Sequence, residues 1–300
     1  MADIDKLIKL IDDAVVNFVD GIPSSQKQLY NELIVLIKEL EIDNGKLRNT
    51  VSNIKLLGRL KTKINEVIVN DKYKKQVAQY LDQFNAVTTW QNSYFTSLVK
   101  KYSPPKVLEA IKTESIDATV TAMTESGIDA NVGESIRSVL RTAITSGGSY
   151  AELTENLRNL IQGTPETAGV MDRYLRTIAT DSINTYSRVY NDTVASDLGL
   201  NWFRYTGSLM ETSRPFCIEC EKFEYFHKNQ IPYLLKGKIY NEKVELYVRT
   251  GLPEGMKANT NTANFSQLAG GWNCGHQVIW ITEGQVPEAI KQKAKTLYAL

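Results

Sequence analysis

The chain has three cysteines, Cys217, Cys220 and Cys274, and one of its two histidines, His276, stands two residues after the last of them. The order is C-x-x-C, a long gap, then C-x-H. Thiolate and imidazole are the donors zinc takes in tetrahedral structural sites, and a C-x-x-C turn can offer two sulfurs to one ion. We therefore expect Cys217, Cys220, Cys274 and His276 to form a structural zinc clamp of three sulfurs and one nitrogen. Its closing half works only if the chain bends around Asn273 and Cys274, because alternate residues of a strand face opposite sides. Gly270, Gly271 and Gly275 make that bend available. A plainer reading stands beside it: free cysteines are among the most buried side chains, and His276 can be a satisfied polar residue in a turn. His227 could replace one ligand or sit exposed on a loop, the commoner fate of a lone histidine.

The same residues allow a cysteine nucleophile on paper, since Cys217 or Cys274 could pair with His276 or His227 as base. No glycine-rich phosphate loop, H-E-x-x-H or G-x-S-x-G pattern supports an enzyme, and two histidines leave little for histidine-dependent hydrolysis. A nucleic-acid reading would rest on Lys236, Lys238, Lys243 and Arg249, with aromatic residues such as Trp202, Phe203, Phe216, Phe226 and Trp272 as stacking surfaces. At this density such aromatics more often form the core of a small β-rich unit. Lys+Arg 35 against Asp+Glu 34 gives a net charge of +1, so no global field gathers nucleic acid or a membrane. Three cysteines are a poor disulfide framework for 300 residues and fit a reducing compartment. The start of the chain carries early acids and no basic leader, and no apolar run is long enough to span a bilayer, so we expect an unexported, soluble protein.

These residues need elements to position them, and the expected fold is α+β. Residues 1–103 read as long amphipathic helices, a helical hairpin or an interrupted coil. Ile4, Ile8, Ile11, Val15 and Phe18 recur at helical spacing before Gly21, Ile22 and Pro23 interrupt. Leu29, Leu33, Leu36 and Leu40 continue a seam that Asp43, Asn44 and Gly45 break before Leu47, Val51, Ile54 and Leu57 resume it. A third helix is expected over 72–100, ended by Pro104 and Pro105. Residues 104–200 read as shorter helices. Asn131 with Glu134 resembles a capping pair, Gly147 and Gly148 stop one helix, and Ser149 with Glu152 opens the next. Pro165 is placed at the start of a long helix that reaches Leu198. Residues 201–300 read as a small strand- and loop-rich module. Strands are expected at 202–205, near Tyr240, Val244, Leu246, Tyr247 and Val248, and at 277–282; residues 250–269 read as a loop, and a helix closes the chain.

Residues 204–217, Arg-Tyr-Thr-Gly-Ser-Leu-Met-Glu-Thr-Ser-Arg-Pro-Phe-Cys, and 270–281, Gly-Gly-Trp-Asn-Cys-Gly-His-Gln-Val-Ile-Trp-Ile, together resemble the two signature blocks of the phage Mu F-like minor head (head morphogenesis) family. The match falls on Thr212, Arg214, Pro215, Cys217, Gly271, Asn273, Cys274 and His276. The helical stretch 131–198, with Arg176, Thr180, Asn184 and Ser187, is similar to the paired helices before the first block. Two departures stand out. The Gly-Lys step that often follows the first cysteine is replaced by Cys220 and its neighbours, and Gly275 stands where a basic residue is common. Cys220 therefore has no family counterpart and its ligand role rests on spacing alone.

The resemblance implies a non-enzymatic minor capsid protein of a tailed bacteriophage, present in few copies, acting at the portal vertex or inside the head during assembly. The implied partners are the portal protein, the major capsid protein and packaged DNA, with no membrane. The implied locations are the virion and, during assembly, the host bacterial cytoplasm. The family's cysteine and histidine pattern also agrees with zinc. The first hundred residues lie outside the match and would be a docking arm, whose apolar seam needs a partner or a second copy.

Overall fold

The computed structural model describes residues 4–240, 242–243, 248–249 and 251–298. In chain order these form α1 (Ile4–Val19), α2 (Ile22–Ile37), β1 (Ile42–Asp43), β2 (Lys46–Leu47), α3 (Val51–Ile68), α4 (Asp71–Leu98), α5 (Val107–Met123), α6 (Glu125–Ile128), α7 (Glu134–Ser146), α8 (Tyr150–Gln162) and α9 (Val170–Asp197). The chain then gives β3 (Trp202–Thr206), α10 (Pro215–Phe223), β4 (Tyr225–His227), α11 (Ile231–Leu234), β5 (Lys238–Ile239), β6 (Glu242–Lys243), β7 (Val248–Arg249), β8 (Leu252–Pro253), α12 (Phe265–Leu268), β9 (Gln277–Ile281) and α13 (Glu288–Tyr298). Helix predominates and the strands are few and short, an α+β fold with long N-terminal helices. Among the described residues no helix is long and apolar enough to cross a membrane. Two compact units are present, Ala14–Leu81 with Ile116–Ala179, and Met1–Asp13 with Asp82–Ser115 and Thr180–Leu300. Each draws on segments far apart in sequence, so the stretches 1–103, 104–200 and 201–300 are lengths of chain rather than these units.

In the first of these units α2 packs on α3 and α8, and α7 on α3 and α8, burying Leu29, Leu33, Leu60, Ile64, Ile136, Leu140, Leu157 and Ile161. Pro23 sits in the first turn of α2, where its missing N–H costs nothing, so Gly21 to Pro23 opens a helix. The heptad seam is not continuous. Asn44 and Gly45 both take positive φ and join β1 to β2 as an antiparallel hairpin, the backbone an Asn-Gly turn favours. Asn53, fully buried, donates to the carbonyls of Glu41 and Arg48 and accepts from the Glu41 N–H. That turns α3 so that Leu56, Leu60 and Ile64 face inward while Val51 and Ile54 are exposed, against expectation.

Two further expectations fail here and two hold. Asn131 does not cap a helix: it lies in a π-helical turn, Asp129–Gly133, and its side chain donates to the Gly127 carbonyl. Pro165 does not open α9. Thr164 Oγ1 accepts from the Glu166 N–H, Thr164 and Thr167 bond to each other, and the turn delays the helix to Val170. Gly147 ends α7 in the left-handed conformation, and the Ser149 hydroxyl accepts from the Glu152 N–H to start α8.

In the second unit the core is a three-stranded antiparallel sheet in the order β4-β3-β9. Every residue of β9 is buried, as are Trp202, Phe203, Tyr205 and Thr206 of β3. Phe203 meets Phe226, Trp280 and Phe265, so Trp202, Phe203, Phe216 and Phe226 form the β-rich core as expected; Trp272, grouped with them, is instead exposed, with the Lys257 ammonium over its ring. Tyr94 of α4 donates to the Trp280 carbonyl, and the Trp280 N–H donates to Asn191 of α9. Gln91 of α4 donates to Ser187 and accepts from Asn191, holding the two helix segments together. The 250–269 stretch is not all loop, because it contains β8 and α12. The expected strand residues Val244, Leu246 and Tyr247, and Thr250, lie outside the described residues.

Candidate metal centre

Strand β3 pairs with β9 in a register that sets Tyr205 opposite Val278 and Thr206 opposite Gln277. The end of β3 therefore lies beside the residues that enter β9, and the two distant sequence blocks meet. Arg214, just before α10, completes the junction: its guanidinium donates to the Gly270 carbonyl at 2.8 Å and to the Trp272 carbonyl at 2.5 Å. The bend expected around Asn273 is present. Gly270, Gly271 and Asn273 all have positive φ. A Cβ on Gly270 would lie 2.1 Å from Cys274 Sγ, and one on Gly271 would lie 1.7 Å from the Gly255 carbonyl oxygen, so only glycine allows both the conformation and the close approach.

Within this junction Cys217, Cys274 and His276 place a sulfur, a sulfur and a ring nitrogen within 4.8 Å of one another, all three residues buried. Cys217 Sγ lies 3.9 Å from Cys274 Sγ, which lies 3.6 Å from His276 Nδ1. The Tyr205 hydroxyl contacts Cys217 Sγ at 3.4 Å, and its ring stacks on the His276 imidazole at 5.4 Å. His276 Nε2 is buried with no hydrogen-bond partner. Two thiols and an imidazole converging in this way could hold a soft or borderline metal ion.

Cys220 is not in the converging set. The C-x-x-C segment is regular helix, α10, rather than a tight turn. Cys217 stands in the first turn at the junction; Cys220 is wholly buried further along. Nor does His227 join. It caps a short helical turn in β4's continuation, where its Nδ1 accepts from the Asn229 N–H.

The three thiols differ in acidity. The contact with Cys217, then His276 and the Arg188 charge, hold the Cys274 thiol well below its usual range. The same contact and burial push Cys217 up, and burial alone does most of the work in raising Cys220. Burial likewise raises Tyr205, keeping its hydroxyl protonated as a donor toward sulfur.

Helix α9 supplies the supports that spacing arguments alone did not single out. Asp181 accepts from the Asn273 N–H at 2.6 Å, and Asn184 accepts from Gln277 Nε2 at 2.5 Å. Arg188 is 2% exposed and has no carboxylate within ion-pairing distance among the described residues. It donates to the carbonyls of Asn184, Ala269 and His276, bridging both ends of the 269–276 loop. Asp181, Asn184, Arg188 and Asn191 recur at helical spacing, a polar stripe that the sequence does contain. Compared with protein-family models, curated proteins and solved structures, the chain matches none.

Proposed function

We propose that the protein is a non-enzymatic minor head protein of a tailed bacteriophage and that Cys217, Cys274 and His276 form a structural zinc clamp in it. The supporting observation is that the residues carrying the Mu F-like resemblance touch one another. Arg214 from the first block bonds to Gly270 and Trp272 of the second, and Cys217 of the first meets Cys274 of the second. Residues that are scattered in sequence but joined in space describe one device, a junction locking β3 to β9.

Zinc suits the donor spacing. Bonds of about 2.3 Å to sulfur and about 2.0 Å to nitrogen at tetrahedral angles put sulfurs about 3.8 Å apart and sulfur about 3.5 Å from nitrogen. The observed separations are 3.9 and 3.6 Å. Burial of all three cysteines favours a clamp over a nucleophile that must meet substrate. Tyr205, hydrogen-bonded to Cys217, would tune the thiolate from outside the coordination sphere.

The apolar seam of the N-terminal helices is already buried within the chain, with Leu7, Ile11, Leu29 and Leu33 inside, so on this reading docking on portal or capsid falls to the exposed faces of these helices. Two measurements test it. Mass spectrometry of gradient-purified particles from the encoding phage should find the chain at a few copies per particle, and a portal gene should lie beside its own. Its absence from particles would end the head-protein reading. Metal analysis of the purified chain should find one zinc, lost in Cys274→Ser.

A further inference from the structure

The three converging donors leave one tetrahedral position to be filled, and the surroundings indicate from which side. A cleft of about 220 Å³ is lined by Cys217, Cys274 and His276 together with Ser208, Met210, Thr212, Ser213, Arg214, Asn273 and Gly275. The donor residues are almost wholly buried, and each contributes to the wall of this cleft. Three of the polar side chains around it are engaged elsewhere: Ser208 donates to Asp12, the Ser213 hydroxyl accepts from the Met210 N–H, and Arg214 is committed to two carbonyls. The sulfur that spacing would nominate as fourth ligand, Cys220, lies outside the group.

We propose that the metal held by Cys217, Cys274 and His276 keeps its fourth position open to this cleft, where it carries an exchangeable water or small monoanion, and that Cys220 is not a ligand. This rests on the clamp reading and deepens it. Three protein donors plus solvent is the arrangement of an open site rather than a sealed one. The cleft has room for a small anion together with several waters, and the Arg214 guanidinium at the rim favours negative charge. A divalent ion with two thiolates is already neutral, so binding should be weak and reversible.

The test is cobalt substitution of the full-length chain under anaerobic conditions, followed by absorption spectroscopy. Azide should shift the visible cobalt bands saturably in the wild-type protein. Cys220→Ser and Cys220→Ala should leave the thiolate-to-cobalt band at its wild-type intensity, whereas Cys217→Ser, Cys274→Ser and His276→Gln should weaken binding by more than about 100-fold, beyond the loss of an outer partner. Bands unmoved by azide would overturn the proposal, because the position would then be filled by the protein. So would a loss of about a third of the charge-transfer intensity in both Cys220 variants, the share of one sulfur among three. Wild-type protein that takes up no cobalt would instead overturn the clamp reading itself. The azide titration needs no variant, so a Cys220 substitution that fails to fold leaves the decision intact.

Discussion

Replacing Arg188 by methionine isolates what the buried guanidinium contributes to the metal loop. Methionine keeps most of the stem's volume and removes every donor, so the change tests hydrogen bonding more than packing. The Asn184 carbonyl belongs to a helix, whereas the Ala269 and His276 carbonyls bracket the loop and are bonded by the guanidinium. Two orphaned buried acceptors at roughly 1–3 kcal/mol each cost about 2–6 kcal/mol, and relief from burying an unpaired cation offsets part of that, leaving a net loss of about 3 kcal/mol. The thermal transition of the unit containing the site should fall by about 6–12 °C. Metal affinity, read by chelator competition, should fall about 10–100-fold, because the loop that aims Cys274 and His276 has lost its brace. Arg188→Lys keeps the charge but reaches fewer carbonyls, and should lie between wild type and methionine on both measures. A loss below about 1 kcal/mol with unchanged metal affinity would refute the argument that this side chain holds the loop.

Gly270→Ala should cost about 1–2 kcal/mol from the left-handed backbone alone, and should abolish metal uptake because its Cβ would occupy the place of Cys274 Sγ. Metal analysis and a melting curve on one preparation separate the two effects. Glu221 has a buried carboxylate oxygen without a partner, and burial raises its pKa. A raised folded pKa gives stability that is present below the unfolded value and is lost as pH rises through the folded one. Glu221→Gln should therefore melt slightly above wild type at pH 7, by at most about 2 °C, and the two curves should converge below about pH 4. A difference that persists unchanged at pH 3 would assign the effect to packing instead.

The helices were legible where side chain and backbone signals agree. Ser149 with Glu152, Gly147 and the aromatic strand at β3 each state their conformation locally, and each forms as expected. The failures come from signals with two meanings. Asn44 and Gly45 mark a turn, but strands of two residues carry no alternation to distinguish a hairpin from a helix break. C-x-x-C spacing is the same in a metal-binding turn and in α10, and the helix was decided by Pro215 in its first turn and by packing of Phe216 and Cys220. Asp181, Arg188 and Asn191 look like the solvated face of a long helix; their task depends on the loop and strand β9 some eighty to ninety residues later, which no local pattern announces.

How the donors are assembled decides what metal removal should do. In small metallo-domains the ion gathers its ligands, so binding and folding are one event. Here Cys217 and Cys274 are brought together by other means: the β3–β9 register, the Arg214 bonds across the two blocks, and the Arg188 bridge over the loop. None of these needs a cation. On the clamp reading the site would be built before a metal arrives, and binding would then add only its mass-action term, about 2.7 kcal/mol when free metal is a hundredfold above Kd. Chelation should accordingly lower the melting temperature by about 5–10 °C while the near-ultraviolet signal of the Phe203, Trp280 and Trp202 core persists at 25 °C. Collapse of that signal on chelation would show that the metal, and not the sheet register and the two arginines, holds the ends of the motif together.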